Sequence, residues 1–307
     1  MIYIRQLLLI NQNKIEILQK GENGPPVMIL TGMGCSFDDW YEVTETLCKS
    51  NRVIMFHRPG LGESEIHNEM RNTQAVVNEI NELIKLLKLS EPIILVGHSY
   101  GGLCVQHFVK AHSKKIAGIV LVDSTSVDLN VLDELDLPVL NEGATDEFWK
   151  GKCLAYSRMK MEELSEVIKP TLTEEQKRFP IEIQRRLLNF QINSPLYKAM
   201  HSEISNWGRD GEIIKNLIEQ PDSPLIVISR DQEHCIRLGV MEGLPESELR
   251  LFEEKWQELV RDQVNLTSNG KFMIAQEASH SIHMDRPDII VQSINEINSL
   301  LNADERA

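Results

Sequence analysis

The sequence predicts an α/β fold with a mostly parallel, doubly wound sheet and a helical lid inserted after the sixth strand. Short apolar runs rich in β-branched residues alternate with stretches of helical periodicity, as expected when helices cover both faces of a parallel sheet. A long segment, 125–222, contains no comparable apolar run. We therefore expect a core formed by residues 1–124 and 223–307, with residues 125–222 as the lid.

Six apolar runs are predicted to form the parallel strands. Each run is continuously apolar rather than alternating, which is typical of a strand buried on both faces. The runs are 26–34, 52–60, 92–99, 116–124, 224–231 and 271–277. The preceding stretch RQLLLINQNKIEILQKG predicts an antiparallel hairpin at the sheet edge.

Helical periodicity is clearest in two stretches of the core. In TQAVVNEINELIKLLKL, Thr73 is expected to cap the helix, and one apolar stripe contains Val76, Ile80, Leu83 and Leu87. The last helix, about 287–301, is expected to begin with Pro287 in its first turn. Its buried stripe contains Ile290, Ile294 and Ile297.

Composition and charge limit which partners and sites the chain is expected to have. The chain has 307 residues and a formal net charge of −14, which argues against a nucleic-acid partner. It has five cysteines, an odd number, and no pair has CxxC spacing, so neither a disulfide framework nor a zinc site is indicated. No run is apolar enough to span a membrane, and the N-terminus does not resemble a secretory signal. We expect a cytoplasmic protein; its oligomeric state is not indicated.

The predicted lid begins with an acidic stretch. Residues 127–147 carry seven acidic residues and no basic one. The stretch predicts either a solvated helical face or a charged pocket mouth that repels anionic substrates. The apolar lid residues Met159, Met161 and Phe190 are candidates for the wall of a substrate pocket.

The stretch LVGHSYGG carries the first chemical motif. Gly97-His98-Ser99-Tyr100-Gly101 is a G-x-S-x-G sequence between a predicted buried strand and a predicted helix. In this context the motif forms a strained turn that exposes the serine hydroxyl. The N-terminus of the following helix offers free N–H groups to a developing oxyanion. Ser99 is therefore the candidate nucleophile.

With these features the chain resembles the α/β-hydrolases, and ILTGMGCSFDDW resembles the loop that follows the third strand of that family. Thr31 replaces the usual histidine of the loop, but Gly32 and Trp40 fit the pattern. The resemblance implies that the backbone N–H groups of Met33 and Tyr100 form the oxyanion hole, with Gly34 as the donor if the loop register shifts.

The stretch HRPGLGES also resembles a turn of this family, with His57 in place of an aspartate. The motif is structural in the family, so we expect His57 to be a packed or surface histidine without a catalytic role.

A serine nucleophile needs an imidazole to accept its proton. In ASHSIHMDRP, after the last predicted strand, His280 occupies the place of the family's catalytic histidine. His283 is interpreted as a flanking residue. A zinc site at His280 and His283 is disfavoured because no third ligand lies near them and H-E-x-x-H is absent.

Three carboxylates are candidates for the triad acid that orients the imidazole. Asp123 ends the sixth predicted strand, a place that some α/β-hydrolases use for this acid. Asp231 and Glu233 follow the seventh strand, where the acid lies in most of the family. We favour Asp123, because the stretch from 253 to 294 resembles a bacterial subgroup that often lacks the later acid.

The resemblance implies hydrolysis of a small-molecule carboxylic ester through an acyl-enzyme, without a cofactor or a metal. Lactonases, thioesterases, C–C bond hydrolases and prolyl aminopeptidases share the same triad and remain alternatives. Ser99 disfavours a haloalkane dehalogenase or an epoxide hydrolase, because both need aspartate as the nucleophile. The alternative outside the enzymes is a receptor that uses the same pocket to sense a ligand.

Overall fold

The computed structural model describes residues 3–67, 70–143 and 145–304, and in them the chain forms one eight-stranded sheet. The order across the sheet is β1-β2-β4-β3-β5-β6-β7-β8, in which β1, β2 and β4 pair antiparallel and all later neighbours pair parallel. The strands are β1 (Tyr3–Ile10), β2 (Asn13–Lys20), β3 (Pro26–Leu30), β4 (Arg52–Phe56), β5 (Ile93–His98), β6 (Ile116–Val122), β7 (Leu225–Ser229) and β8 (Gly270–Ile274).

All six predicted parallel strands and the edge hairpin are confirmed. Every residue of β3, β5 and β7 is buried, which explains why their sequences are continuously apolar. The hairpin between β1 and β2 turns at Asn11 and Gln12, both with positive φ, as a two-residue turn that matches the strand twist requires.

Helices cover both faces of the sheet, which confirms the doubly wound architecture. In the described residues they are α1 (Tyr41–Leu47), α2 (Thr73–Leu86), α3 (Tyr100–Ala111), α4 (Asp146–Tyr156), α5 (Met161–Ile168), α6 (Ile181–Gln191), α7 (Ser194–Lys215), α8 (Gln232–Met241), α9 (Glu246–Asp262), α10 (Ile282–Asp285) and α11 (Pro287–Asp304). None of these helices is both long and apolar enough to cross a membrane.

Two hydrophobic cores lie on opposite faces of the sheet. Met28 of β3 packs in the core that contains α2 and α3, whereas its neighbour Val27 packs in the core that contains α1 and α11. The predicted stripe of α11 is buried in the second core, since Ile290, Ile294 and Ile297 are fully inaccessible to solvent. Alternating strand residues therefore fix one helical layer on each face.

The prediction that Thr73 caps α2 is wrong by one residue. The side chain of Asn72 accepts a hydrogen bond from the Ala75 N–H at 2.8 Å and forms the N-cap. Thr73 is the first helical residue, and its hydroxyl lies 2.8 Å from Nδ1 of His107. Its N–H donates to the buried carboxylate of Asp210 on α7. The capping role therefore falls on the polar residue that precedes the first helical turn.

The segment 125–222 is helical, as its sequence predicts. It contains α4 to α7 and short 3-10 turns, and no strand lies in its described part. The long helix α7 packs against both α2 and α3, so the segment is held to the core through one of its own helices.

Candidate active site

Ser99 lies at a tight turn between β5 and α3. Its backbone has φ 51° and ψ −124°, a conformation that non-glycine residues rarely adopt. The flanking glycines allow the turn to close, because a Cβ on Gly101 would lie 2.4 Å from the carbonyl oxygen of Leu30. A Cβ on Gly97 would lie 2.6 Å from Cα of Gly102. The turn therefore requires glycine on both sides of the serine.

Backbone hydrogen bonds hold the strained turn in place. The Ser99 N–H donates to the carbonyl of Val122 at 3.2 Å, and the Ser99 carbonyl accepts from the N–H groups of Gly102 and Thr125. Such a conformation costs about 1–3 kcal/mol and persists only where the surroundings enforce it. The end of β6 thus fixes the position of Ser99.

His280 and Asp123 form a short hydrogen-bonded pair. Nδ1 of His280 lies 2.6 Å from Oδ2 of Asp123. Asp123 directly follows β6 and is fully buried, whereas the His280 side chain is 41% exposed. The carbonyl of His280 accepts from Nε2 of His98 at 2.9 Å, so His280 lies against the residue that precedes Ser99. His280 and Asp123 are thus in direct contact, and the backbone of His280 lies next to His98, the residue before Ser99.

Three further hydrogen bonds hold the Asp123 carboxylate. Oδ1 accepts from the Trp256 indole at 3.0 Å and from the Arg230 N–H at 3.2 Å, and Oδ2 accepts from the Arg230 guanidinium at 3.1 Å. Burial alone would raise the pKa of Asp123, but the charge of Arg230 and the hydrogen bonds outweigh it and hold this pKa below its usual range. Asp123 therefore remains ionised when it faces His280.

The structure does not bring Asp231 or Glu233 to His280. The Asp231 carboxylate accepts the N–H of His234 at 3.1 Å, which caps α8, and the N–H of Glu277 at 2.9 Å. Glu233 is exposed and forms an ion pair with Arg250. The candidate role of Asp231 as triad acid is therefore corrected. Its carboxylate caps α8 and holds the loop that contains Glu277.

The loop after β3 passes next to Ser99. A Cβ on Gly32 would lie 3.1 Å from Cβ of Ser99 and 3.0 Å from Nδ1 of His98, so a side chain at this position would crowd both residues. Tyr100 is the first residue of α3, and N–H groups in the first turn of a helix have no partner within it. Among the described residues no hydrogen bond engages the N–H of Met33. Both amides predicted to form the oxyanion hole are thus left without a backbone acceptor.

Arg58 anchors the loop that follows β3. Its guanidinium donates to the carbonyls of Thr31 at 2.8 Å and Gly32 at 3.1 Å, and it forms a buried, bidentate ion pair with Glu203 of α7. One turn earlier on α7, Met200 fills the space beside Gly34. The loop next to Ser99 is therefore held between the sheet and the helical segment.

His57 is a buried structural histidine, in agreement with the sequence interpretation. Its Nε2 accepts the N–H of Phe37 at 3.0 Å, so Nδ1 carries the proton and donates to Glu16 at 2.7 Å. Burial opposes ionisation of Glu16, but His57 and Arg186 outweigh it and lower the pKa of Glu16 to about 2.

Two further histidines surround His280. Burial lowers the pKa of His98 to about 3 and that of His283 well below its ordinary value, so both are neutral at physiological pH. His283 stacks on Trp40 with ring centroids 4.8 Å apart. Within residues 3–67, 70–143 and 145–304, no group of three or more potential ligands is arranged to hold a metal ion.

A cavity of about 760 Å³ lies beside Trp256, which separates it from the His280–Asp123 pair. Its apolar walls come from the helical segment and from α9, and include Leu132, Leu137, Trp207, Leu249, Phe252 and Trp256. Trp256 contacts the pair itself, because its indole donates to Asp123 and its ring meets His280 edge-on at 5.7 Å. Met161 and Phe190 instead line a smaller cavity, of about 240 Å³, beside His57.

Asp133 and Asp146 also line the large cavity. The Trp207 indole donates to Asp146 at 2.7 Å, and neither carboxylate forms an ion pair within the part of the chain that the structure describes. Burial and the charge of Asp133 raise the pKa of Asp146. Glu147 and Lys150, on the same wall, form an ion pair with each other. The acidic stretch noted in the sequence thus contributes two unpaired acids to the cavity.

Arg230, Glu253 and Trp256 were not identified from the sequence as part of the site. Arg230 lies within a predicted strand run, and Glu253 and Trp256 lie in the stretch used to recognise the histidine region. For Glu253 and Trp256 the sequence feature that marks them is a charged or aromatic residue at a position of α9 that would otherwise carry apolar core residues. The contacts of Arg230 and Trp256 with Asp123 span more than a hundred residues, and Glu253 reaches Asp123 only through Arg230.

Comparisons with known proteins identify related chains. A family model described as alpha/beta hydrolase fold matches residues 25–153. The chain is 20% identical to the uncharacterized protein YqjL of Bacillus subtilis, over 91% of this chain and 85% of that protein. It is 23% identical to an AB hydrolase superfamily protein of Gibberella zeae, over 90% of this chain and 87% of that protein. The solved Cif epoxide hydrolase from Acinetobacter nosocomialis superposes with a TM-score of 0.70 at 16% identity, over 96% of this chain and 88% of that one.

Proposed function

Because the chain is a member of the α/β-hydrolase fold superfamily, we propose that it is a serine hydrolase that cleaves a small-molecule carboxylic ester. The observation that carries this proposal is the 2.6 Å contact between His280 and the buried Asp123, next to the strained turn at Ser99. The likeness to an epoxide hydrolase concerns the fold alone, and the residue at the turn here is serine.

The proposed reaction has two steps. Nε2 of His280 takes the proton of Ser99 as the serine oxygen attacks the ester carbonyl, and the alcohol leaves with that proton. Water, deprotonated by His280, then attacks the acyl-serine, and the serine oxygen leaves with the proton of His280 as the acid is released. Asp123 holds the proton on Nδ1 of His280 and stabilises the imidazolium. The N–H groups of Met33 and Tyr100 stabilise the oxyanion of both tetrahedral intermediates.

We further propose that residues 125–222 act as a lid and that the large cavity takes the apolar part of the substrate. Support comes from α7, which contacts the loop beside Ser99 through Met200, is tied to that loop by the Arg58–Glu203 ion pair, and lines the cavity through Trp207. The walls of the cavity are largely aliphatic and aromatic, as is usual for small-molecule sites.

The wild-type protein is expected to hydrolyse p-nitrophenyl esters of acids from two to twelve carbons with continuous turnover. Release of p-nitrophenolate over many equivalents measures this, and the dependence of kcat/KM on chain length reports how much of the cavity the acyl chain fills. A burst of one equivalent without further turnover, or no reaction together with no labelling by a fluorophosphonate, would contradict the proposal and favour a ligand-sensing receptor. Labelling without ester turnover would leave a serine hydrolase of another substrate class.

The cavity is expected to favour neutral over anionic acyl chains, because Asp133 and Asp146 on its wall form no ion pair among the described residues. We expect kcat/KM for p-nitrophenyl hexanoate to exceed that for the p-nitrophenyl monoester of adipic acid by at least about tenfold at low salt. In Asp133→Asn/Asp146→Asn the ratio is expected to fall. Asp136→Asn, which alters an acid of the same segment that does not line the cavity, serves as the control. Equal kcat/KM for both esters in the wild type would refute this preference.

A further inference from the structure

We propose that Arg230 and Glu253 are positioning residues that set the net charge around Asp123. This net charge in turn sets the pH range in which Ser99 is activated. This inference rests on the proposed serine-hydrolase function. It concerns a buried ion pair that touches Asp123 but neither Ser99 nor His280.

Arg230 fixes the orientation of Asp123. Its backbone N–H and its guanidinium donate to different oxygens of the carboxylate, at 3.2 and 3.1 Å. Trp256 and His280 take the other two contacts, so each oxygen of Asp123 accepts two hydrogen bonds. A carboxylate held in this way cannot rotate, and the oxygen that faces His280 stays in place.

Glu253 compensates the charge of Arg230. Its two oxygens accept from Nε and Nη2 of Arg230, both at 2.8 Å, and both side chains are buried. The guanidinium also lies over the Trp256 ring, 4.4 Å from its centroid. Because buried ion pairs often stabilise a protein no better than apolar residues of the same volume, stability alone does not explain three charges in this place.

The other titratable side chains that the structure describes around this pair are neutral or bonded elsewhere, and the Asp285 carboxylate accepts from the N–H and hydroxyl of Ser279. His98 at the end of β5 and His283 of α10 are neutral, since burial lowers the pKa of both. The thiol of Cys235 on α8 is also neutral, because burial raises its pKa to about 12. Asp231 directs its carboxylate to backbone N–H groups.

The charges of Asp123, Glu253 and Arg230 add up to −1, from two carboxylates and one guanidinium. Without Arg230 the total becomes −2, which favours the imidazolium and keeps His280 protonated up to a higher pH. Without Glu253 the total becomes 0, which disfavours the imidazolium in the resting enzyme and in the transition state. The two changes must act in opposite directions.

The test is the pH dependence of Ser99 labelling by a fluorophosphonate, which needs no knowledge of the substrate. The midpoint is the pH at which labelling reaches half its maximum on the acidic side of this profile. Compared with the wild type, this midpoint is expected to rise by about 0.5 pH unit or more in Arg230→Gln and to fall in Glu253→Gln. The double variant is expected to return close to the wild-type midpoint, and Arg230→Lys, which keeps the charge, to stay near it. Arg250→Gln removes an exposed arginine of α9 that pairs with Glu233, and it is the matched control.

The outcomes separate the two proposals. If the wild type is labelled but both single variants move the midpoint in the same direction, or neither moves it, this inference is wrong and the proposed function stands. A wild type that is not labelled at all overturns both. Should Arg230→Gln fail to fold, Glu253→Gln and the double variant still provide the test, because loss of Arg230 in that background must raise the midpoint.

Discussion

Replacement of Ser99 by alanine is expected to lower kcat/KM for p-nitrophenyl esters by at least about a thousandfold. The variant keeps the N–H groups of Met33 and Tyr100 and the His280–Asp123 pair, but it has no oxygen that can carry the acyl group. Initial rates of p-nitrophenolate release at saturating and limiting ester concentrations measure the loss. Because the substrate contacts are unchanged, the loss should lie in kcat rather than in KM.

Two controls separate lost chemistry from lost structure. Ser205→Ala changes an exposed serine of α7 whose hydroxyl donates to the carbonyl of His201, and it should retain wild-type activity. Ser99→Gly should be as inactive as Ser99→Ala but at least as stable as the wild type, because glycine adopts φ 51° without strain. Ester turnover by Ser99→Ala within tenfold of the wild-type rate would show that another residue is the nucleophile.

The parts of the fold that the sequence predicts correctly depend on local pattern. Every residue of β3, β5 and β7 is buried on both faces, and this alone makes their sequences continuously apolar. Ser99 and the glycines beside it are equally local, because one tight turn determines all of them. The cap of α2 shows the limit of this approach, since Asn72 and Thr73 are both good caps and sequence pattern does not choose between neighbours.

The triad acid could not be fixed from the sequence for a different reason. β6 and β7 are adjacent and parallel, so the carboxylates that follow them, Asp123 and Asp231, emerge at the same edge of the sheet. Which of the two turns toward His280 depends on the other partners of each carboxylate. Asp231 is engaged by the N–H groups of His234 and Glu277, which belong to a helix start and a loop that periodicity does not place.

The contacts of Arg230 and Glu253 are less predictable still. The two residues lie 23 positions apart, and Arg230 contacts Asp123 from 107 positions away in the sequence. A charged residue in an amphipathic helix such as α9 normally faces solvent. Only the packing of α9 against β7 turns Glu253 inward, and that packing is a property of the assembled sheet.

Replacement of Asp123 by asparagine is expected to lower kcat by roughly 10⁴-fold, because an amide can donate to Nδ1 of His280 and so favour the wrong tautomer. The imidazolium that forms during proton transfer would also lose its countercharge, while the positive charge of Arg230 remains next to it. Steady-state rates across pH measure the effect. Activity should partly return at high pH, where hydroxide can replace the base.

Asp231→Asn is the matched comparison that decides between the two acids. Asparagine caps helices as well as aspartate does, so α8 should persist, and only the contact with the Glu277 N–H is weakened. We expect kcat within a few-fold of the wild type and at most a small decrease in Tm. The opposite result, a large loss in Asp231→Asn with near-normal activity in Asp123→Asn, would mean that the loop after β8 moves in solution and pairs His280 with the later acid. The two substitutions remove the same charge from the same edge of the sheet, so a difference between them reports which carboxylate bonds to the imidazole.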